Sequence, residues 1–150
     1  MKYGPIKGDV TAKGYLGDTA LNSIQWVMNR TLSSASSLDR SASAPTISEV
    51  RIGKRVDSSS LPLLKEAVNG TPALVDTYFV NTGGKGSLQT YLKLELTNTL
   101  ISSYTLSSGG TDQPQESLTL NYTRISLTDG KNTLNYDLKQ STNGLGMGPK

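Results

Sequence analysis

Apolar and polar residues alternate over much of this chain, and sustained alternation marks a strand with one buried face. Leu88 to Leu96 is the clearest case. Leu92, Leu94 and Leu96 point one way and Tyr91, Lys93 and Glu95 the other, as in an antiparallel strand packed on one side. Ser23 to Leu32 places Ile24, Trp26 and Met28 on one face against Gln25 and Asn29, with Trp26 most simply a core anchor and alternatively a ring that stacks on a ligand. Ala73 to Thr82 reads as a strand carrying Tyr78, Phe79 and Val80, and Gly83 to Gly86 as a hairpin turn. Leu100 to Leu106 continues closely after Leu96, with a bend or bulge at Asn98. Ser117 to Leu127 holds Leu118, Leu120 and Tyr122 on one parity and Ile125 and Leu127 on the other. That slip predicts a β-bulge near Thr123 or Arg124. Residues 3–13 read as a first strand interrupted at Gly4-Pro5 and Gly8, and Thr133 to Lys139 as the last, after an Asp129-Gly130 turn.

One stretch breaks the pattern. Ser48 to Gly70 begins as a strand, with Val50, Ile52 and Val56 facing inward and Glu49, Arg51 and Arg55 outward. It continues as the only convincing helix. Asp57 to Ser60 offer oxygens to the first turn, with Ser60 as the expected N-cap. Pro62 falls where a missing N–H costs little, and Gly70 where a left-handed stop is expected. Leu61, Leu64 and Val68 share a helix face, with Leu63 and Ala67 beside it. About eight short strands and one helix predict a mainly β fold: an antiparallel β-barrel of two sheets, or a sandwich. Residues 1–140 read as a single domain, with an extended loop over 33–44 and a flexible tail over 141–150. The Ser-rich loop is long for a connection inside one domain, so it is either a linker or a binding and assembly element.

Composition narrows the chemistry. The chain has 150 residues, no Cys and no His, and a formal net charge of +3. Disulfides, thiolate chemistry, imidazole bases and the commonest transition-metal ligand are therefore excluded. The densest basic group is Arg51, Lys54 and Arg55, which reads as a solvated strand face and not a nucleic-acid stripe. Asp57, Glu49 and Glu66 lie in one segment but are explained by helix initiation and surface charge, leaving no acid pair for hydrolysis. No acidic cluster fits a calcium loop. The Gly83–Gly86 stretch resembles a phosphate loop only distantly, since Gly86 intervenes before Ser87. No apolar run approaches the ~20 residues of a membrane span, and the N-terminus lacks the apolar core of a signal peptide. The expectation is no enzyme activity, no cofactor and no metal.

An ordered series of residues then resembles the haemolysin-coregulated (Hcp) proteins of bacterial type VI secretion. It runs from Ile6-Lys7-Gly8-Asp9-Val10 and Gly14 through Ile24-Gln25-Trp26 and the polar loop to Val56-Asp57-Ser58-Ser59-Ser60 and Gly70. Tyr91 to Leu96, Leu100 to Tyr104, Gly109-Gly110 and Glu116 to Tyr122 complete it. The resemblance covers about residues 6–127, and the series is more specific than any single motif.

It implies a two-sheet barrel with one helix that forms hexameric rings. The rings stack into a tube inside a contractile sheath, tipped by a spike protein, with effector cargo in the lumen. The implied localisation is cytoplasmic when assembled, followed by secretion through the machine. Neither nucleic-acid binding nor membrane insertion is implied. The loop residues Ser33, Ser34, Ser36, Ser37, Leu38, Asp39, Arg40 and Ser41 correspond to the family's ring-stacking loop. Arg51, Lys54 and Arg55 become a basic face on a ring surface, and Asp57, Ser60 and Pro62 cap the helix. The chain departs from many relatives in lacking His and Cys, in a Ser-rich loop where others have Gly, and in Pro62 standing one residue later. The competing class is a monomeric barrel that binds carbohydrate or single-stranded nucleic acid through converging aromatic rings.

Overall fold

The computed structural model describes residues 1–32, 42–83, 86–138 and 146–149. In chain order the elements are β1 (Lys2–Tyr3), β2 (Ser23–Gln25), β3 (Met28–Asn29), β4 (Thr46–Ile47), β5 (Val50–Arg55) and α1 (Ser60–Asn69). They continue with β6 (Ala73–Thr82), β7 (Leu88–Ser107), β8 (Gln115–Asn121), β9 (Arg124–Thr128), β10 (Asn132–Asp137) and β11 (Gly146–Pro149). The architecture is the expected one: mainly β, every pairing antiparallel, with one short helix.

The long strand β7 organises it. Its first half pairs with β6 and β9 in a sheet, A, that continues through β10 to β11 and carries β1 on β6. Its second half pairs with β8 in sheet B, which continues through β5 to β2. Asn98 sits between the halves with φ 54°. Asn tolerates this left-handed conformation better than most residues, and it turns the strand from one sheet into the other. A register shift between Ile101 and Ser103 adds a bulge just beyond it. The expected bend at Asn98 is present, and the two strands read on either side of it are one.

The inner faces of the sheets meet in a core that includes Val50, Ile52, Val75, Leu94, Leu118 and Leu120. The parity slip after Tyr122 has a different cause from the expected bulge. Strand β8 ends at Asn121 and the chain crosses to sheet A, where β9 begins at Arg124. The inward parity changes because the sheet changes. The expected first strand is also replaced: after β1 the chain runs as turns to residue 22. Its loop closes on itself where the Gly8 N–H donates to the Gly17 carbonyl at 2.8 Å. A Cβ on Gly8 would lie 2.6 Å from the Asp18 carbonyl oxygen, so only glycine fits this backbone crossing.

The helix ends as expected, with Gly70 at φ 66° donating to the Glu66 carbonyl. Its start differs. Ser59 is the N-cap, without a side-chain capping bond, and Ser60 is the first helical residue. Its buried face differs too. Leu63 is fully buried, whereas Leu61 is 77% exposed and Val68 80% exposed. The helix meets the barrel over one narrow contact, so the apolar stripe read from the sequence points outward.

Candidate functional site

Sheet B has two faces of opposite chemistry. The inward face of β5 carries Val50, Ile52 and Lys54, and that of β8 carries Glu116, Leu118 and Leu120. Lys54 and Glu116 are direct cross-strand partners. Lys54, grouped above with Arg51 and Arg55 as one basic face, therefore points the other way. It is 0% exposed because it shares its strand parity with two core residues.

A buried ammonium is tolerated only when paired and hydrogen-bonded. Lys54 Nζ donates to Glu116 Oε2 and to Ser60 Oγ at 3.0 Å, and it lies 2.8 Å from Asp57 Oδ1. The Tyr104 hydroxyl donates to the other Glu116 oxygen. The Asp57 N–H donates to Ser60 Oγ at 2.9 Å, and the Ser59 N–H to Asp57 Oδ1 at 2.9 Å. Asp57 and Ser60 thus order the helix start as expected, but through the lysine and the turn and not as an N-cap. Pro62 occupies the first helical turn as read. The network ties the first turn of α1 to sheet B.

Burial disfavours the charged form of Asp57. The hydrogen bonds from Lys54 and Ser59, together with the Lys54 charge, outweigh that and hold its pKa below the ordinary value. A carboxylate whose folded pKa is depressed stabilises the fold above its unfolded pKa of about 3.9 and loses that contribution as pH falls toward the folded value. Acid titration of the folded chain, followed by circular dichroism, is expected to show stability falling below about pH 4. An Asp57→Asn variant should lose part of that dependence.

The outward face is different. Ser23, Gly53, Ser117 and Thr105 form one row across the sheet, and Gln25, Arg51, Thr119 and Ser103 the next. Arg55, Gln115 and Ser107 form a third row at one end. All are exposed except Gly53 and Thr119, which are half-buried. The face is rich in hydroxyls and amides, and Gln25, Arg51 and Thr119 line a hollow of about 320 Å³ on it together with Trp26 and Glu49. Arg51 and Arg55 are its cations. Among the described residues neither forms an ion pair. Glu49, beside them on the chain, accepts from Asn121 Nδ2 at 2.8 Å.

The short arm made by β3 and β4 leaves the barrel next to this sheet. Backbone pairing continues outward through Leu32 and Ala42. The Tyr122 and Tyr136 hydroxyls fasten its return strand by donating to the Ser48 carbonyl at 2.8 Å and the Pro45 carbonyl at 3.1 Å. Trp26 packs partly buried against the core, in the anchoring role read for it. With Met28, Ile47, Leu127 and Leu134 it lines a cavity of about 150 Å³ between arm and barrel. The ring-stacking loop expected over Ser33, Ser34, Ser36, Ser37, Leu38, Asp39, Arg40 and Ser41 lies outside the described residues.

The aromatic residues do not converge. Tyr3 and Tyr122 are buried, and Tyr91 alone of the seven tyrosines is exposed. The Tyr15 and Tyr78 rings pair 5.6 Å apart beside a cavity of about 470 Å³ under the N-terminal loop. Among the described residues no three acidic side chains gather as a metal site, and no helix is long and apolar enough to cross a membrane.

Two antiparallel sheets joined through β7, one short helix and a short β-arm define a β-barrel of two sheets. The family model described as "Type VI secretion system effector, Hcp" matches residues 1–128. The chain belongs to the Hcp family of the type VI secretion system. No curated protein matches it by sequence alone. Its fold is similar to a type VI secretion system effector from Yersinia pestis, at 14% identity and TM-score 0.72, over 91% of this chain and 96% of that one. It is also similar to Hcp1 from Salmonella typhimurium, at 16% identity and TM-score 0.74, over 97% and 95% of the two chains. Hcp1 from Escherichia coli EAEC 042 aligns at 18% identity and TM-score 0.76, over 89% of each.

Proposed function

We propose that this chain is a structural tube subunit that closes into hexameric rings, which stack into the inner tube expelled by the secretion machine. Family membership over residues 1–128 is the observation that carries the reading. The surface supports it. Leu61 and Val68 on α1, Leu74 on β6 and Leu106 on β7 are all exposed, and a head-to-tail ring would give such residues neighbours. A standard contact would bury ~1,600 Å² in total. The outward face of sheet B suits the lumen, because a wall of short hydroxyls and amides stays hydrated and lets a folded cargo slide. Sheath, spike and effector proteins are the expected partners, and the role is structural, without catalysis. Secretion would proceed through the machine itself.

The binding-module reading requires an exposed aromatic patch, which the dispersed tyrosines do not provide. A carboxylate enzyme fares no better, since the ammonium of Lys54 lies between Asp57 and Glu116.

The loop is assigned to stacking. Deleting Ser34 to Ser43 is expected to leave rings intact in light scattering while weakening tube growth and secretion. Loss of the folded barrel in that variant would contradict the assignment.

A further inference from the structure

We infer, resting on the stacking role proposed above, that Ser43 and Ser48 are two joints that aim the arm made by β3 and β4, each a β-bulge closed by the serine hydroxyl. Stacking then depends on side chains that position the arm from within one chain.

The register slips twice along the arm. From Gln25 opposite Arg51 to Met28 opposite Ile47, the outgoing strand advances three residues and the returning strand four. From Asn29 opposite Thr46 to Leu32 opposite Ala42, the same step recurs. An extra residue on one strand is a β-bulge, which bends that strand and raises its twist. The two bulges share one chemistry. The Ser48 N–H donates to the Val27 carbonyl at 2.8 Å, and the Val27 N–H donates back to Ser48 Oγ at 2.9 Å. The Ser43 N–H donates to the Thr31 carbonyl at 2.9 Å, and the Thr31 N–H donates back to Ser43 Oγ at 3.0 Å. Each hydroxyl in turn donates to the carbonyl of the next residue, Glu49 at 2.9 Å and Ala44 at 3.3 Å.

The hydroxyl thus stands in for the carbonyl that a regular antiparallel pair would use. At Ser48 this leaves the carbonyl to accept from the Tyr122 hydroxyl at 2.8 Å, which ties the root of the arm to the barrel. Packing leaves the direction of the root open. Val27 and Ser48 border the hollow of about 320 Å³, and Met28 and Ile47, of opposite parity, border the cavity of about 150 Å³. Trp26 borders both. With space on either side, the hydrogen bonds at the bulges set the angle. Alanine at either serine strips a strand N–H of its acceptor and lets the arm turn.

The test uses the full chain carrying Ser43→Ala, Ser48→Ala or both, beside Ser43→Thr and Ser48→Thr, which keep the hydroxyl. Hydrogen exchange is followed at the Thr31 and Val27 amides, ring formation by light scattering and tube growth by electron microscopy. Each alanine variant is expected to speed exchange at its opposite amide by about five- to tenfold, the net worth of one hydrogen bond. Threonine should restore slow exchange. The double alanine variant should keep its rings and lose its tubes. Unchanged exchange in the alanine variants, or tubes as abundant as those of the unaltered chain, would overturn the joints. Equal loss of tubes with threonine would do the same, since the hydroxyl would not be the cause. Should Ser48→Ala disturb the barrel, Ser43→Ala decides, because it lies further out along the arm. If deleting Ser34 to Ser43 leaves tube growth intact, the stacking reading fails instead, and the exchange rates alone decide whether the serines hold the arm.

Discussion

Replacing Lys54 with methionine is expected to destabilise the fold by about 3–5 kcal/mol, measured as a shift in the urea midpoint. Methionine matches the length of the buried stem but removes the only cation paired with Glu116 among the described residues. That carboxylate is 2% exposed, so it would be left charged and buried with Tyr104 as its remaining donor. For a domain whose whole stability is ~5–15 kcal/mol, such a loss is severe. The double variant Lys54→Met/Glu116→Leu should recover much of it, because the pair is replaced by apolar groups instead of being broken. A single variant as stable as the parent would show that the buried pair does not hold the sheet and helix together.

Truncating Leu63 to alanine is the second large effect, with an expected cost of about 2–5 kcal/mol. Leu63 is fully buried and joins α1 to the core shared by the two sheets. Because the helix touches the barrel over so narrow a contact, few neighbours can close over the space left behind. Leu61→Ala, two residues away on the opposite side of the helix and largely exposed, should change stability by less than about 0.5 kcal/mol. The contrast is diagnostic. Had the stripe of Leu61, Leu64 and Val68 faced the barrel, the two costs would be reversed.

That contrast also shows what the sequence makes legible and what it does not. The alternation of β5, β7 and β8, the bend at Asn98 and the left-handed stop at Gly70 are local features, and each is visible in a few residues. The helix stripe is equally local, but its orientation is a tertiary fact. An apolar face is buried against whatever lies there, and in an assembling protein that need not be the same chain. Lys54 departs from its expected place for a related reason: its charge suggests solvent, while its strand parity points it inward. The signal was present, since Lys54 shares inward parity with Val50 and Ile52, and Glu116 with Leu118 and Leu120. Two opposite charges on inward positions of neighbouring strands indicate a buried pair. The parity slip after Tyr122 carried information as well. A change of sheet and a bulge shift the pattern alike, and only the pairing of β9 with β7 separates them. The first loop hid its structure because Gly8 serves a backbone crossing between residues that are distant from one another in sequence.

The candidate lumen face was only half visible. The alternation marks Arg51 and Arg55 as outward, but the Ser, Thr and Gln residues around them come from three other strands, and no single stretch of sequence displays them together. The fold and the family follow from the chain; the ring is the step that the surface chemistry proposes.

The most direct test of that step is the mass of the purified full chain in solution, by light scattering or sedimentation at high concentration. A particle near six times the 16.0 kDa of one chain, seen as a ring in electron micrographs, is the result expected. A persistent monomer under those conditions would contradict the tube-subunit account.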